Sequence, residues 1–158
     1  MANTQSMCTS FMSELLTATH NFGTAPTRGA STADTFKAAL YLATATVNAS
    51  TTAYSVTNEV SGAGYTAGGV AVTNATAPTS TNASATAGVA YWTPSASITY
   101  SSVTLSTAFD SVLIYNNTQS NKAVSVHTFG SQTVTSGTFT LTMPSNTTTA
   151  ALLRLATT

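Results

Sequence analysis

The chain has 158 residues, enough for one domain whose core covers about two-thirds of the surface an unfolded chain exposes; a second domain is not expected. Four basic and four acidic residues leave zero net charge, and the scattered cations Arg28, Lys37, Lys122 and Arg154 exclude the basic patch that binds nucleic acid by counterion release. A single cysteine, Cys8, excludes an internal disulfide, and no apolar run approaches the roughly 18 residues of a membrane span.

The N-terminal stretch MANTQSMCTSFMSELLTATH lacks the basic start and continuous apolar centre of an export signal. Residues 9 to 22 put Phe11, Met12, Leu15, Leu16 and Phe22 near helical spacing, with Thr9 or Ser10 as N-cap and Asn21 and Gly23 as stop. The segment reads as a short helix or an extended arm. As an arm, it offers Phe11, Leu15, Leu16 and Phe22 as candidate inter-subunit contacts; as a helix, it closes one end of the protein's own core.

Residues 23 to 34 read as a loop, and FKAALYLATATV then alternates with a period of two, which predicts a strand. From Asn48 to Gly88 small residues and glycines dominate, with one strand expected around Val70 to Thr73. The low-complexity run TNATAPTSTNASATAG reads as an exposed loop. Patterning is clearest in the C-terminal half, where AYW, SITYSSVTL, SVLIY, AVSVHTF, SQTV, GTFTLTM and ALLRLA read as separate short strands between turns. Val112 to Tyr115 is apolar on both faces and predicts a central strand. Phe139, Leu141 and Met143 alternate with Thr138, Thr140 and Thr142, which predicts a half-exposed one. Composition agrees, because 35 Thr and 20 Ser favour strands and can cover a wet sheet face without charge. A 42% apolar share with zero net charge argues against disorder. The expected fold is all-β, an antiparallel β-sandwich with jelly-roll-like character, residues 1–22 forming the arm or helix and 23–158 the single domain.

The stretch AFDSVLIYNNTQSNKAVSVHTFGSQTVTSGTFTLTMPSNTTTAALLRLA resembles the C-terminal half of small virion structural proteins of tailed bacteriophages. In that group a strand ending in IYN is followed by an FG-x-Q-T-V turn, GTFTL and a short apolar tail. The segments MANTQSMCTSF and DTFKAALYLATATVN are similar to the same group, so the likeness spans most of the chain. It implies a role in a virion assembled in the bacterial host cytoplasm and brings no catalytic or cofactor-binding residues.

The residues offer little chemistry of their own. Ser125, His127 and Asp110 can be nominated as a Ser-His-Asp set, but two residues two apart on a strand share a face in any Ser-rich chain, and no G-x-S-x-G elbow is present. Glu14, Asp34, Glu59 and Asp110 are far apart in sequence, and Cys8 with His20 has no recurring metal-ligand spacing. No phosphate-binding or dinucleotide motif occurs, so no enzyme, metal or cofactor is expected. Five Asn-x-Ser/Thr sites are discounted as chance in so Asn-, Ser- and Thr-rich a chain.

A nearly uncharged surface keeps free monomers apart poorly, which points to a surface covered by partners. The leading expectation is a capsid decoration or cement protein that binds major capsid protein and forms a homo-oligomer, with a trimer favoured. The alternative is a tail, neck or fibre component. A receptor-binding version would need Tyr54, Tyr65, Tyr91 and Trp92 gathered at an exposed tip.

Overall fold

The computed structural model describes residues 3–16, 19–22, 33–73, 77–81 and 88–156. Its elements are β1 (Ser6–Met7), α1 (Thr9–Leu16), β2 (Phe36–Leu42), β3 (Val70–Val72), β4 (Thr79–Ser80), β5 (Val89–Trp92), β6 (Ile98–Asn116), β7 (Lys122–Leu141) and β8 (Leu153–Ala156). They form a five-stranded sheet of order β1-β7-β6-β2-β3 and a three-stranded sheet of order β4-β5-β8, with every pairing antiparallel. The protein is therefore all-β, with two sheets and one short helix among the described residues. This strand order does not by itself make a jelly-roll.

Two long strands replace the chain of short ones expected in the C-terminal half. SITYSSVTL and SVLIY are one strand, β6, and AVSVHTF, SQTV and GTFTL are another, β7. The Ser- and Gly-rich punctuation between them makes bulges instead of turns: register shifts fall between Tyr100 and Val103, Val103 and Leu105, Leu105 and Phe109, and Phe109 and Ser111. Ser102 and Ser136 sit there in left-handed conformations, with φ of 54° and 46°. A residue that breaks the ladder locally need not reverse the chain, and sequence alone does not separate the two outcomes. The reversal between β6 and β7 is made by the 117–121 loop, where Ser120 and Asn121 both adopt positive φ.

Val112 to Tyr115 is buried throughout because β6 lies between β7 and β2, as its doubly apolar pattern requires. β2 is buried nearly as well, but ends at Leu42, and the following Ala43 to Thr46 turn away although their composition continues the strand. Thr138, Thr140 and Thr142 are exposed while Phe139, Leu141 and Met143 are half-buried, the alternation expected. Part of the run read as a loop, Thr79–Ser80, pairs with β5 as β4, and residues 74–76 and 82–87 of that run lie outside the described residues.

The long segment from Ala43 to Gly69 packs over β2 and the far half of β6, touching strands through isolated bridges at Tyr41–Glu59 and Ala63–Thr104. Close approach needs glycine at Gly69: its φ is +70°, and a Cβ there would lie 1.7 Å from the Ala38 carbonyl oxygen.

The two sheets meet at an aromatic cluster. Phe22 stacks on Phe36 of β2 with ring centroids 4.4 Å apart and meets Trp92 of β5 edge-on at 4.8 Å. Phe11 of α1 closes the cluster, edge-on to His20 at 4.8 Å and to Phe22 at 5.9 Å. Each such buried aromatic side chain contributes about 1.5 to 3 kcal/mol relative to exposure. The N-terminal segment is thus built into the core of its own chain.

Candidate functional site

Three polar assemblies and one apolar cleft carry whatever chemistry the described residues have. The first begins on α1. Glu14 accepts a 2.6 Å hydrogen bond from Lys122 Nζ and lies 2.7 Å from His20 Nε2. Asn116 Oδ1 accepts from the backbone N–H groups of Thr118 and Gln119, so its Nδ2 must be the donor that faces His20 Nδ1 at 3.0 Å and Asp34 Oδ2 at 2.7 Å. His20 Nδ1 is then an acceptor, and Nε2–H donates to Glu14. Asp34 also accepts from the Asn21 backbone and from Gln119 Nε2. Burial pushes the Glu14 pKa up, but hydrogen bonds from Lys122 and His20 and the Lys122 charge outweigh it and hold the carboxyl below its ordinary range. This network ties the N-terminal segment to the β6–β7 turn.

The second assembly surrounds Glu59, which is 7% exposed. Its Oε1 accepts from Tyr65 Oη and the Gly68 backbone N–H, and its Oε2 from Tyr54 Oη, each at 2.7 Å. Tyr115 Oη donates to the Gly68 carbonyl at 2.8 Å, and Tyr41 Oη to that of Ser55. Burial and the Glu59 charge push Tyr115 up to about 12. Burial likewise raises Tyr54 and Tyr65, helped by their bonds to Glu59, so the phenols remain donors at any physiological pH. Three donors converge on both oxygens of one buried carboxylate, which is the arrangement of a structural clamp on the 43–69 segment.

The third is the nominated catalytic set. Ser125 Oγ and His127 Nε2 are 2.9 Å apart, beside a groove of about 430 Å³ lined by residues including Gln5, Pro144, Leu152 and Arg154. Asp110 does not join them: its Oδ1 accepts from Asn3 Nδ2 at 2.6 Å. Burial lowers the His127 pKa to about 4, which makes the imidazole a weak base, and Ser125 is 1% exposed. The pair is a hydrogen bond along one strand face without the third member that orients a catalytic histidine. Cys8 is equally quiet, its thiol pushed up to about 11 by burial and by the Glu14 charge. Among the described residues no group of three His, Cys, Asp or Glu side chains could hold a metal ion, and no helix is long and apolar enough to cross a membrane.

The apolar cleft, about 100 Å³, runs between α1 and the small sheet and is lined by Met7, Phe11, Leu15, Phe22, Trp92 and Leu155, among others. Three of the four candidate contact residues are here. Phe11 and Phe22 are 2% and 7% exposed, inside the protein's own core, and Leu15 is half-buried against it. The Leu16 side chain lies outside the described residues.

What the surface lacks is the larger observation. Glu14, Asp34, Glu59 and Asp110, all the acidic side chains of the chain, are engaged by partners within it, and Lys122 is paired with Glu14. Of the remaining cations, Lys37 is half-buried, Arg154 is exposed, and Arg28 lies outside the described residues. Sequence reading missed the inward use of these charges. Tyr54, Glu59 and Tyr65 are close in the chain, but Asp34 meets Asn116 across 82 positions, and no spacing announces that contact. No family model, no curated protein and no solved structure matches the chain.

Proposed function

We propose that the protein is a structural subunit of a tailed-phage virion, and specifically a capsid decoration protein that binds between major capsid subunits as a homo-oligomer. The observation that carries the reading is a described surface nearly bare of charge, in a protein whose acidic side chains are all bonded within the chain. Such a surface can be covered by partners without stranding ions in a low-dielectric interface, and it gains little by staying in water. Supporting this, no catalytic triad is assembled around Ser125 and His127, and the sequence resembles small virion proteins along most of its length.

The receptor-binding version of a tail or fibre role has less support. Its four aromatic residues are not gathered at a tip: Trp92 is in the core, and Tyr54 and Tyr65 are bonded to Glu59. Cryo-electron microscopy of intact particles tests the proposal through copy number. Hundreds of copies on the head are expected. A few to a few dozen copies at the tail or neck would replace the decoration reading, and absence from the particle would end the virion reading altogether.

A further inference from the structure

Among the described residues, the outer edge of β7 is covered over only part of its length. Near its start it pairs with β1 through Ser125 and Val126, and the Val124 carbonyl accepts from the Cys8 backbone. Beyond Val126, among the described residues, no backbone hydrogen bond reaches that edge from another segment. The part from Gly130 to Ser136 is broken up by bulges, which guard an edge against pairing. After the left-handed Ser136 one register shift remains, between Tyr100 and Val103, with its extra residue on β6; from Phe139 the ladder is regular, with Phe139, Thr140 and Leu141 opposite Tyr100, Thr99 and Ile98. The chain then reaches Pro144, which cannot donate to a ladder. Gly137 to Leu141, the last five residues of β7, are therefore, among the described residues, an open edge of ordinary strand length, preceded by a bulge and followed closely by a proline.

Proteins usually protect such edges with lysine, inward charges or proline. None stands within this one: from Ala123 to Leu153 the sequence contains no Asp, Glu, Lys or Arg. We propose that this edge pairs antiparallel, about a two-fold axis, with the same segment of a second copy of the chain. Unpaired backbone donors and acceptors specify an extended strand as the occupant. Charge specifies which strand, because a segment with no ionised side chain can face itself in any register without opposing like charges. A register centred on Thr140 sets Thr138 opposite Thr142 of the second copy and Phe139 opposite Leu141. Both pairings match side chains on the same face, threonine against threonine outside and half-buried apolar residues against each other inside. The contact is isologous and closes at two copies, so a two-fold pair replaces the trimer expected from the sequence. This inference deepens the assembly reading above and rests on it for its purpose, but not for its test.

The test uses the full chain in solution. Sedimentation or native mass spectrometry should show a concentration-dependent dimer, and hydrogen exchange at residues 137–141 should slow as dimer forms. Thr140→Lys, on an exposed side chain, opposes two lysines at the axis and should weaken dimerisation by about tenfold or more. Val56→Lys, at an exposed position elsewhere, should leave it unchanged. Mixing Thr140→Lys with Thr140→Glu should restore association as a heterodimer, an effect that a damaged fold could not produce. A wild-type monomer at all concentrations, or a dimer indifferent to Thr140→Lys, would overturn the inference. A monomer that still coats particles would overturn only this edge, whereas a dimer that coats none would overturn only the virion reading.

Discussion

Glu59 is the buried carboxylate that ties the irregular 43–69 segment together. Its three donors come from Tyr54, Tyr65 and the Gly68 backbone, all in a segment with almost no regular secondary structure of its own. Replacing it with alanine strands those donors in a buried site, so Glu59→Ala should cost on the order of 3 kcal/mol in denaturant unfolding, against about 1 kcal/mol for Tyr54→Phe. Equal losses would mean that the carboxylate is not the hub. His127 gives a pH dependence. Its folded pKa is depressed from 6.5 to about 4 by burial, so between those values the unfolded chain takes up a proton that the folded one does not. The stability it contributes is full above pH 6.5 and is lost as pH falls toward 4, a change of at most about 3 kcal/mol. His127→Gln keeps a polar partner for Ser125 and should flatten that part of the stability profile measured by thermal melts. An unchanged slope would show that the ring is solvated.

At the scale of elements, the N-terminal segment behaves as a wedge. Phe11, His20 and Phe22 sit among Phe36 and Trp92, and Glu14 and His20 bond to groups on or beside the β6–β7 turn. Deleting residues 1–22 removes two buried phenylalanines, each worth about 3 to 5 kcal/mol as a truncation, so the shortened chain should lose its cooperative unfolding transition by circular dichroism. A truncated chain that folds normally would instead make the segment a detachable arm. The β6–β7 hairpin teaches the complementary lesson about reading strands. Gly130 and the Ser136–Gly137 pair carry the composition of turns, and the chain passes through them as bulges because strand β6 supplies a continuous partner on one side.

For the molecule as a whole, the inward use of carboxylates leaves few exposed charges to be screened. Attachment to particles should therefore change less than about threefold in affinity between roughly 50 and 500 mM salt. A steep salt dependence, measured by co-sedimentation, would point to an interface organised by the few exposed cations, Arg154 among them, and would count against a contact made by neutral strands and threonine-rich faces.

The sequence by itself determined the class of the fold, the burial of Val112 to Tyr115 and the alternation at Phe139 to Met143, and left the segment near Thr9 open between a helix and an arm. These are local properties, written in the period of side chains along a few residues. Strand length, the pairing of β7 with β6 through five register shifts, and the sheet order were decided only in three dimensions. So was the destination of the charges: whether Asp34 faces water or Asn116 depends on a contact between segments 82 residues apart, and a chain's composition counts its charges without saying which way they point.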